Sequence, residues 1–468
     1  MAIDLNSPIA WESPSQEERA MLRNLQGNIL KGHGRDHVTL LFIRFQANAQ
    51  DKARSFLRNV ATAHAHDALT QLEQAKQFKA TGEPGDVFVG IGLTASAYKF
   101  LGALDPEIPS DKAFRAGMRK RKLQDPALEK WESGLRDQIH AVVLIADDLQ
   151  ARVDDMRGQI ETALRGAGKV AAREDGQVMR NKHGDGIEHF GYVDGRSQPL
   201  MLKEDIEEEK KVGIDQWDPT FGIGTALVPD PGKNAQGGFG SYLVFRKLEQ
   251  DVRGFKANEK KLANALGLTG ASEELAGALV IGRFEDGTPV ALQSTDGLHP
   301  VPNNFGFAAD PDGAKCPFAG HIRKANPRGD TTRRLQVPLS EERSHLIPRR
   351  GIPYGTRATH PSDPILDEHP ELYPRNGVGL LFMAYNADLA RQFEFVQGSW
   401  ANNPQFVDTQ GTGIDPVIGN GVNPRGLQKW PRTWGQPGVT AGFDFSGFVS
   451  MKGGEYFFAP CLAFLRNL

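Results

Sequence analysis

The sequence predicts an α+β protein built from two split βαβ, ferredoxin-like units, each an antiparallel sheet with helices on one face. Three observations predict it. Before residue 180, short β-rich runs and amphipathic stretches follow one another as strand–helix–strand, twice over. The same grammar returns after residue 240, as a structural duplication without a sequence repeat. Gly (52) and Pro (29) make up about a sixth of the 468 residues, which asks for long ordered loops. A chain of this length exceeds one ordinary core. We therefore expect two domains, 1–225 and 226–468, with the boundary in the Asp215 to Gly240 loop, rich in Pro, Asp and Gly.

The elements follow in order. Leu25 to Gly34 is a Gly-punctuated lead-in to Val38–Phe45, an apolar run read as a buried strand. A helix is expected from about Asn48 to Ala65, a strand over Val87–Leu93, and a second helix ending near Leu101 and Gly102. Ala141–Ala146 is the third strand. Behind it Leu149, Val153, Met156, Ile160 and Leu164 fall on one helical face, and Gly166 and Gly168 stop that helix. Val170–Glu174 closes the first unit. In the second half Ser241–Arg246 reads as a strand and Asp251 to Leu266 as a helix closed by Gly267, with Ala278–Gly282 continuing the helical region. Val378–Tyr385 is a strand, followed by a helix through Leu389–Phe395. Pro300 to Pro374 is poor in regular structure, and a loop that long in a compact domain is usually functional.

Composition narrows the function. Hydrophobic residues are 39% and charged residues 24%, the balance of a soluble globular chain. A net charge of -3, with no Lys/Arg cluster interleaved with aromatics, argues against nucleic acid. Arg119–Lys122 and Glu208–Lys211 read as solvated surface. Two cysteines, Cys316 and Cys461, make neither a disulfide framework nor a cysteine zinc site. With no signal-like N-terminus and no apolar run of membrane-spanning length, we expect a cytoplasmic protein without a membrane partner.

One stretch concentrates chemistry. Glu188 to Pro199 sets Asp194 between Gly191 and Gly195, beside His189, Arg196 and two aromatic rings. Glycines free the backbone to aim a carboxylate into a tight space, although Asp-Gly is equally a common hairpin turn. The long loop adds His321 and the pair Arg349-Arg350. Taken singly, such a histidine is more often an ordinary hydrogen-bonded side chain, and such arginines surface charge.

Seven segments, in this order, resemble the dye-decolourising (DyP-type) haem peroxidases, in particular their longer-chain bacterial subgroup. They are LQGNILKGHGR, EHFGYVDGRSQP, CPFAGHIRKANPRGD, RRGIPYG, GLLFMAYN, QFEFVQGSWANNPQF and MKGGEYFFAP. The resemblance covers nearly the whole chain. It implies a dimeric α+β barrel-like fold with haem b in the C-terminal unit. It also implies a peroxidase that uses hydrogen peroxide to oxidise bulky dyes and phenolics through a ferryl (compound I) intermediate.

The roles follow residue by residue. His321 matches the iron ligand and Asp194 the distal aspartate. Arg349 matches the distal arginine, with Arg350 left as the alternative by the spacing. Peroxide cleavage needs a base that moves a proton between the two oxygens, and a fixed cation that stabilises the charge that develops. A carboxylate on the far nitrogen of His321 is expected, and Glu394 is the choice, against the alternative of a buried Glu paired elsewhere. Arg328 and His189 are candidates for the haem propionates. Leu380 and Phe382 are candidates for restricting the pocket to peroxide-sized molecules. Glu259, Glu274 and Glu285 offer oxygen ligands for Mn²⁺, against the blander reading of scattered surface acids. Trp400, Trp430, Trp434 and Tyr354 are candidates for relaying electrons from dyes too large to enter. The alternative function is a haem-binding or haem-handling protein with incidental peroxidase activity. The oligomeric state, monomer or homodimer, stays open.

Overall fold

The computed structural model describes residues 3–363, 366, 368–408, 410–421, 423, 424, 426 and 428–468. Eight strands build the frame: β1 His37–Phe45, β2 Phe88–Leu93, β3 Ala141–Asp147, β4 Gly168–Gln177, β5 Phe239–Gln250, β6 Ile352–Tyr354, β7 Gly379–Asn386 and β8 Val449–Ala459. The first four pair in the order β4-β1-β3-β2, the last four in the order β8-β5-β7-β6. If each half is renumbered from its own first strand, both orders read 4-1-3-2. The duplication expected from sequence is therefore a duplication of topology. The two sheets join edge to edge, through Leu93 opposite Phe458 and Gly176 opposite Tyr354, and all pairings are antiparallel. The result is a closed barrel, which leaves few strand edges open to another chain.

Strand periodicity sorts the side chains. Leu40, Phe42, Val142, Leu144, Leu243, Phe245, Ile352, Leu381, Met383 and Phe457 belong to one buried cluster, the barrel interior. On the outer face of the first half, Leu41, Ile43, Val89, Ile91, Val143 and Ile145 pack under two helices, α1 Gln50–Ala63 and α2 Gln150–Ala163. α1 presents Ala53, Phe56, Leu57, Val60 and Ala61, a stripe at helical spacing. α2 buries Val153 and Ile160 as expected, but Leu149 precedes the first turn and is 56% exposed.

The second half is covered differently. α3 Val252–Leu266 starts on Asp251, whose carboxylate accepts from the Gly254 N–H at 2.8 Å, and stops at left-handed Gly267. Its apolar residues Phe255, Leu262 and Leu266 pack with α4 Glu274–Ile281, Phe190, Tyr192 and Phe445, to the side of the sheet. Strands β6 and β8, unassigned in the sequence reading, complete this half. One side chain reinforces a seam between the halves. Buried Gln26 accepts from the Ile91 N–H and donates to the Ile91 and Pro460 carbonyls, bridging β2 and the end of β8.

Candidate active site

Because α3 leans away, the outer face of the second sheet opens into a deep, mostly apolar cavity. Its sheet wall follows the strand period: Arg246, Leu248 and Gln250 of β5, Leu380 and Phe382 of β7, Val449 and Met451 of β8. Asp194, Arg349 and His321 line the same cavity, together with Arg328, Leu380 and Phe382. Three distant stretches of sequence thus converge on one space.

The Asp194 loop is built as the glycines anticipate, though its tight turn lies earlier. Ile187 bridges Val193, and the Gly191 N–H donates to the Glu188 carbonyl at 2.9 Å, so the chain reverses over Glu188–Tyr192. Gly191 and Gly195 both have positive φ, +100° and +80°. At Gly191 a Cβ would lie 2.9 Å from the Pro361 carbonyl oxygen. The Asp194 N–H donates to Gly186, and its Oδ1 accepts from the Gly195 N–H at 2.6 Å and from Arg349 Nη1 at 3.1 Å. Arg349 is further fixed by Gln198, whose Oε1 accepts from its backbone N–H at 2.9 Å. Arg350 points elsewhere. Its guanidinium donates to the carbonyls of Asn28, Ile29 and Arg349. The adjacent arginines are thus divided: Arg349 faces the cavity, while Arg350 ties the Arg349 backbone to the Leu25–Gly34 segment.

His321 opens a short helix, α5 His321–Ala325. Its Nδ1 lies 2.9 Å and 3.1 Å from the two oxygens of fully buried Asp415, leaving Nε2 for the cavity. Asp415 Oδ1 also accepts from the Val417 and Ile418 N–H groups. Burial opposes a charged His321 ring, but the Asp415 charge and hydrogen bond outweigh it and raise its pKa; Arg349 and Asp194 lie close enough to contribute.

Glu394 does not take the expected place. Its carboxylate receives a bidentate pair from Arg121 Nε and Nη2, at 2.7 and 2.6 Å, and the Tyr456 hydroxyl at 2.8 Å. The carboxylate on His321 is Asp415, which sequence reasoning missed. It lies 94 positions away in a Gly-rich loop with no periodic signal. His189 sits between the cavity-lining residues Glu188 and Phe190, and its Nδ1 is buried without a hydrogen-bond partner. It is buried beside the cavity with Nε2 2.8 Å from the Tyr354 carbonyl, and burial lowers its pKa to about 4.

Arg328 lines the cavity and has company. Arg196, Arg283, Arg328 and Arg349 all line the cavity. Arg328 donates to Ser197 and Asn303 and stacks 3.9 Å over the Phe305 ring centre. Burial and its neighbours Arg283 and Arg196 hold its pKa well below the usual arginine range. Glu209 neutralises Arg196. The cluster is therefore a cationic rim of the cavity lining. Glu188 also lines the cavity, its carboxyl pushed up to about 7 by burial.

The three acids considered for Mn²⁺ are only partly gathered. Buried Lys256 sits between Glu259, 3.0 Å away, and Glu285, and Glu259 also accepts the Tyr192 hydroxyl, while Glu274 is exposed. Among the described residues no three His, Cys, Asp or Glu side chains are placed to hold a metal ion, and the Lys256 ammonium occupies the space between Glu259 and Glu285. Of the four aromatic relay candidates, Trp400, Trp430 and Tyr354 are buried and only Trp434 is partly exposed.

The family model of the DyP dimeric alpha+beta barrel domain matches residues 24–180. The chain is 46% identical to the multifunctional dye peroxidase DyP2 of an Amycolatopsis species, over 100% of both chains. It belongs to the dye-decolourising peroxidase family. The DyP-type peroxidase from Anabaena superposes with a TM-score of 0.91 at 41% identity, covering 99% of this chain and 98% of that one. The solved Amycolatopsis DyP2 gives a TM-score of 0.94 over 100% of both chains. A fungal dye-decolourising peroxidase of Mycetinis scorodonius is 30% identical over 98% of this chain and 90% of its own. As a DyP-type peroxidase, the protein acts on a peroxide and an electron donor. Among the described residues no helix is long and apolar enough to cross a membrane.

Proposed function

We propose that this chain is a haem b peroxidase that reduces hydrogen peroxide at the expense of bulky dyes and phenolics. One observation carries the reading: a hydrogen-bonded Asp194–Arg349 pair shares an apolar cavity with a histidine whose outward nitrogen is held by Asp415. The donor set fits the group. A neutral imidazole nitrogen suits haem iron, the apolar sheet wall suits the porphyrin, and the arginine rim suits its propionates. Haem, when bound, supplies the redox chemistry of peroxide cleavage and electron transfer.

The chain's own residues do the rest. His321 Nε2 would hold the iron, and Asp415 orients the ring and increases its basicity. Arg328, with Arg283, would receive the propionates. Asp194 takes a proton from one peroxide oxygen and returns it to the other, which leaves as water. Arg349 stabilises the negative charge that builds on the departing oxygen, and orients Asp194. Leu380 and Phe382 keep large donors out, so dyes are oxidised at the surface, with Trp434 the accessible candidate of the four.

The test is a visible spectrum of wild type and His321→Ala after haem loading, with and without peroxide. A Soret band in wild type that changes with peroxide and is lost or blue-shifted in His321→Ala is expected. A Soret band that peroxide leaves untouched, with no donor oxidised, would favour the haem-handling alternative.

Mn²⁺ oxidation is a second reading. In its favour, Glu259 and Glu285 already converge on one cation, Lys256. Binding would require the ammonium to withdraw and Glu274 to join.

A further inference from the structure

Lys324 lies one turn after His321 on α5 and is 1% exposed. Its Nζ donates to the carbonyls of Asn403 and Phe406, at 3.0 and 2.7 Å, and to Thr412 Oγ1 at 3.2 Å. All three acceptors are neutral, and all three belong to the loop that ends at Asp415. A buried ammonium without a contacting carboxylate is costly unless its hydrogen bonds are complete. Here they are complete, with three N–H donors and three acceptors. Burial pushes the ammonium down to about 7, against which Asp415 acts as the nearby negative charge.

We propose that Lys324 is a positioning residue that sets the His321–Asp415 hydrogen bond, by clamping the loop bearing Asp415 to the helix bearing His321. The two partners are 94 positions apart, so their bond exists only if loop and helix keep one relative placement. Lys324 makes that connection directly, from the same helical turn. The Asp415 N–H to the Ala401 carbonyl and its carboxylate bonds to Val417 and Ile418 fix the far end of the loop. Lys324 fixes the near end. The functional consequence rests on His321 being the iron ligand; the clamp itself does not.

Two readouts separate these layers. In Lys324→Met, amide hydrogen exchange over residues 403–415 should rise about tenfold or more, since all three Nζ hydrogen bonds are lost together. In the haem-loaded ferrous protein, the iron–histidine stretch seen by resonance Raman should fall toward the value of an Asp415→Asn benchmark. Thr412→Val, which removes one acceptor and leaves the helix intact, should move both readouts the same way by less. It decides the matter if Lys324→Met does not fold. Unchanged exchange overturns the clamp, even if the stretch moves. Faster exchange with an unchanged stretch overturns the positioning role. If His321→Ala keeps the wild-type stretch, the ligand reading fails while the exchange result still stands or falls by itself.

Discussion

Replacing Asp194 with Asn isolates proton transfer from everything else the side chain does. The two side chains have the same shape, and an amide oxygen can still accept the Gly195 N–H and the Arg349 Nη1–H that Oδ1 accepts now. The side chain is 35% exposed, so stability should change by no more than about 0.5 kcal/mol. What disappears is the ability to hold a proton reversibly. Loss of a positioned base costs roughly 10²- to 10⁴-fold, or about 3–5 kcal/mol of barrier. Stopped-flow mixing of the haem-loaded protein with peroxide, followed at the Soret band, gives the second-order rate directly. Arg349→Lys should cost roughly 10²- to 10³-fold in the same assay, because the fork that reaches Asp194 is replaced by a point charge. The double variant should lose much less than the product of the two. If Asp194→Asn, with intact Soret band and thermal midpoint, reacts within fivefold of wild type, Asp194 is not the base.

Four further outcomes follow from the same geometry. Arg350→Met should lower the peroxide rate roughly ten- to hundredfold with an unchanged Soret band, because the Arg349 backbone loses its tether; an unaltered rate separates Arg350 from the site. Gln26→Leu should destabilise the chain by about 2–4 kcal/mol, since it leaves the Ile91 N–H and carbonyl and the Pro460 carbonyl without this partner; a thermal midpoint equal to wild type refutes its role at the seam. Burial lowers the pKa values of His140 and His189 to about 4, and that of His33 to about 3. A histidine held neutral in the fold contributes full stability above its unfolded value near 6.5, and loses it as pH falls toward the folded value. For well-buried His140 that is on the order of 3 kcal/mol. The melting temperature of the haem-free protein should therefore drop between pH 6.5 and 4, and a flat profile contradicts the assignment. Finally, Glu259→Gln and Glu285→Gln should abolish saturable Mn²⁺ oxidation while sparing dye oxidation, and unaffected Mn²⁺ kinetics exclude the site.

The first half of the fold was legible because its strands and helices carry their own signals: Val38–Phe45 is apolar but for Thr39 and Arg44, and α1 repeats its buried face at helical spacing. β6 was not legible. It has three residues, one of them Pro353, and is a strand because β7 and β4 lie on either side of it. In the site, His321, Asp194 and Arg349 were legible through the resemblance of their segments to the dye-decolourising peroxidases; taken singly, none of the three stands out. Glu394 misled because a carboxylate flanked by Phe393 and Phe395 invites a buried partner. It has one, but the partner is Arg121 of the other half. Asp415 could not be read at all, since what selects it is where its loop lands. The choice between Arg349 and Arg350 likewise depended on the Asn28 and Ile29 carbonyls, more than three hundred positions upstream.

The two halves share a strand order but not a way of finishing themselves. In the first, α1 and α2 lie on the sheet and seal it with the chain's own side chains. In the second, the corresponding face, with Leu248, Leu380, Phe382, Val449 and Met451, is left as a wall without a roof. Whatever flat, apolar guest enters there becomes the missing layer, so its affinity is also cohesion for that half. One copy of the duplicated unit remains self-sufficient and carries the barrel. The other has given up self-sufficiency, and in that incompleteness the protein acquires a place for chemistry.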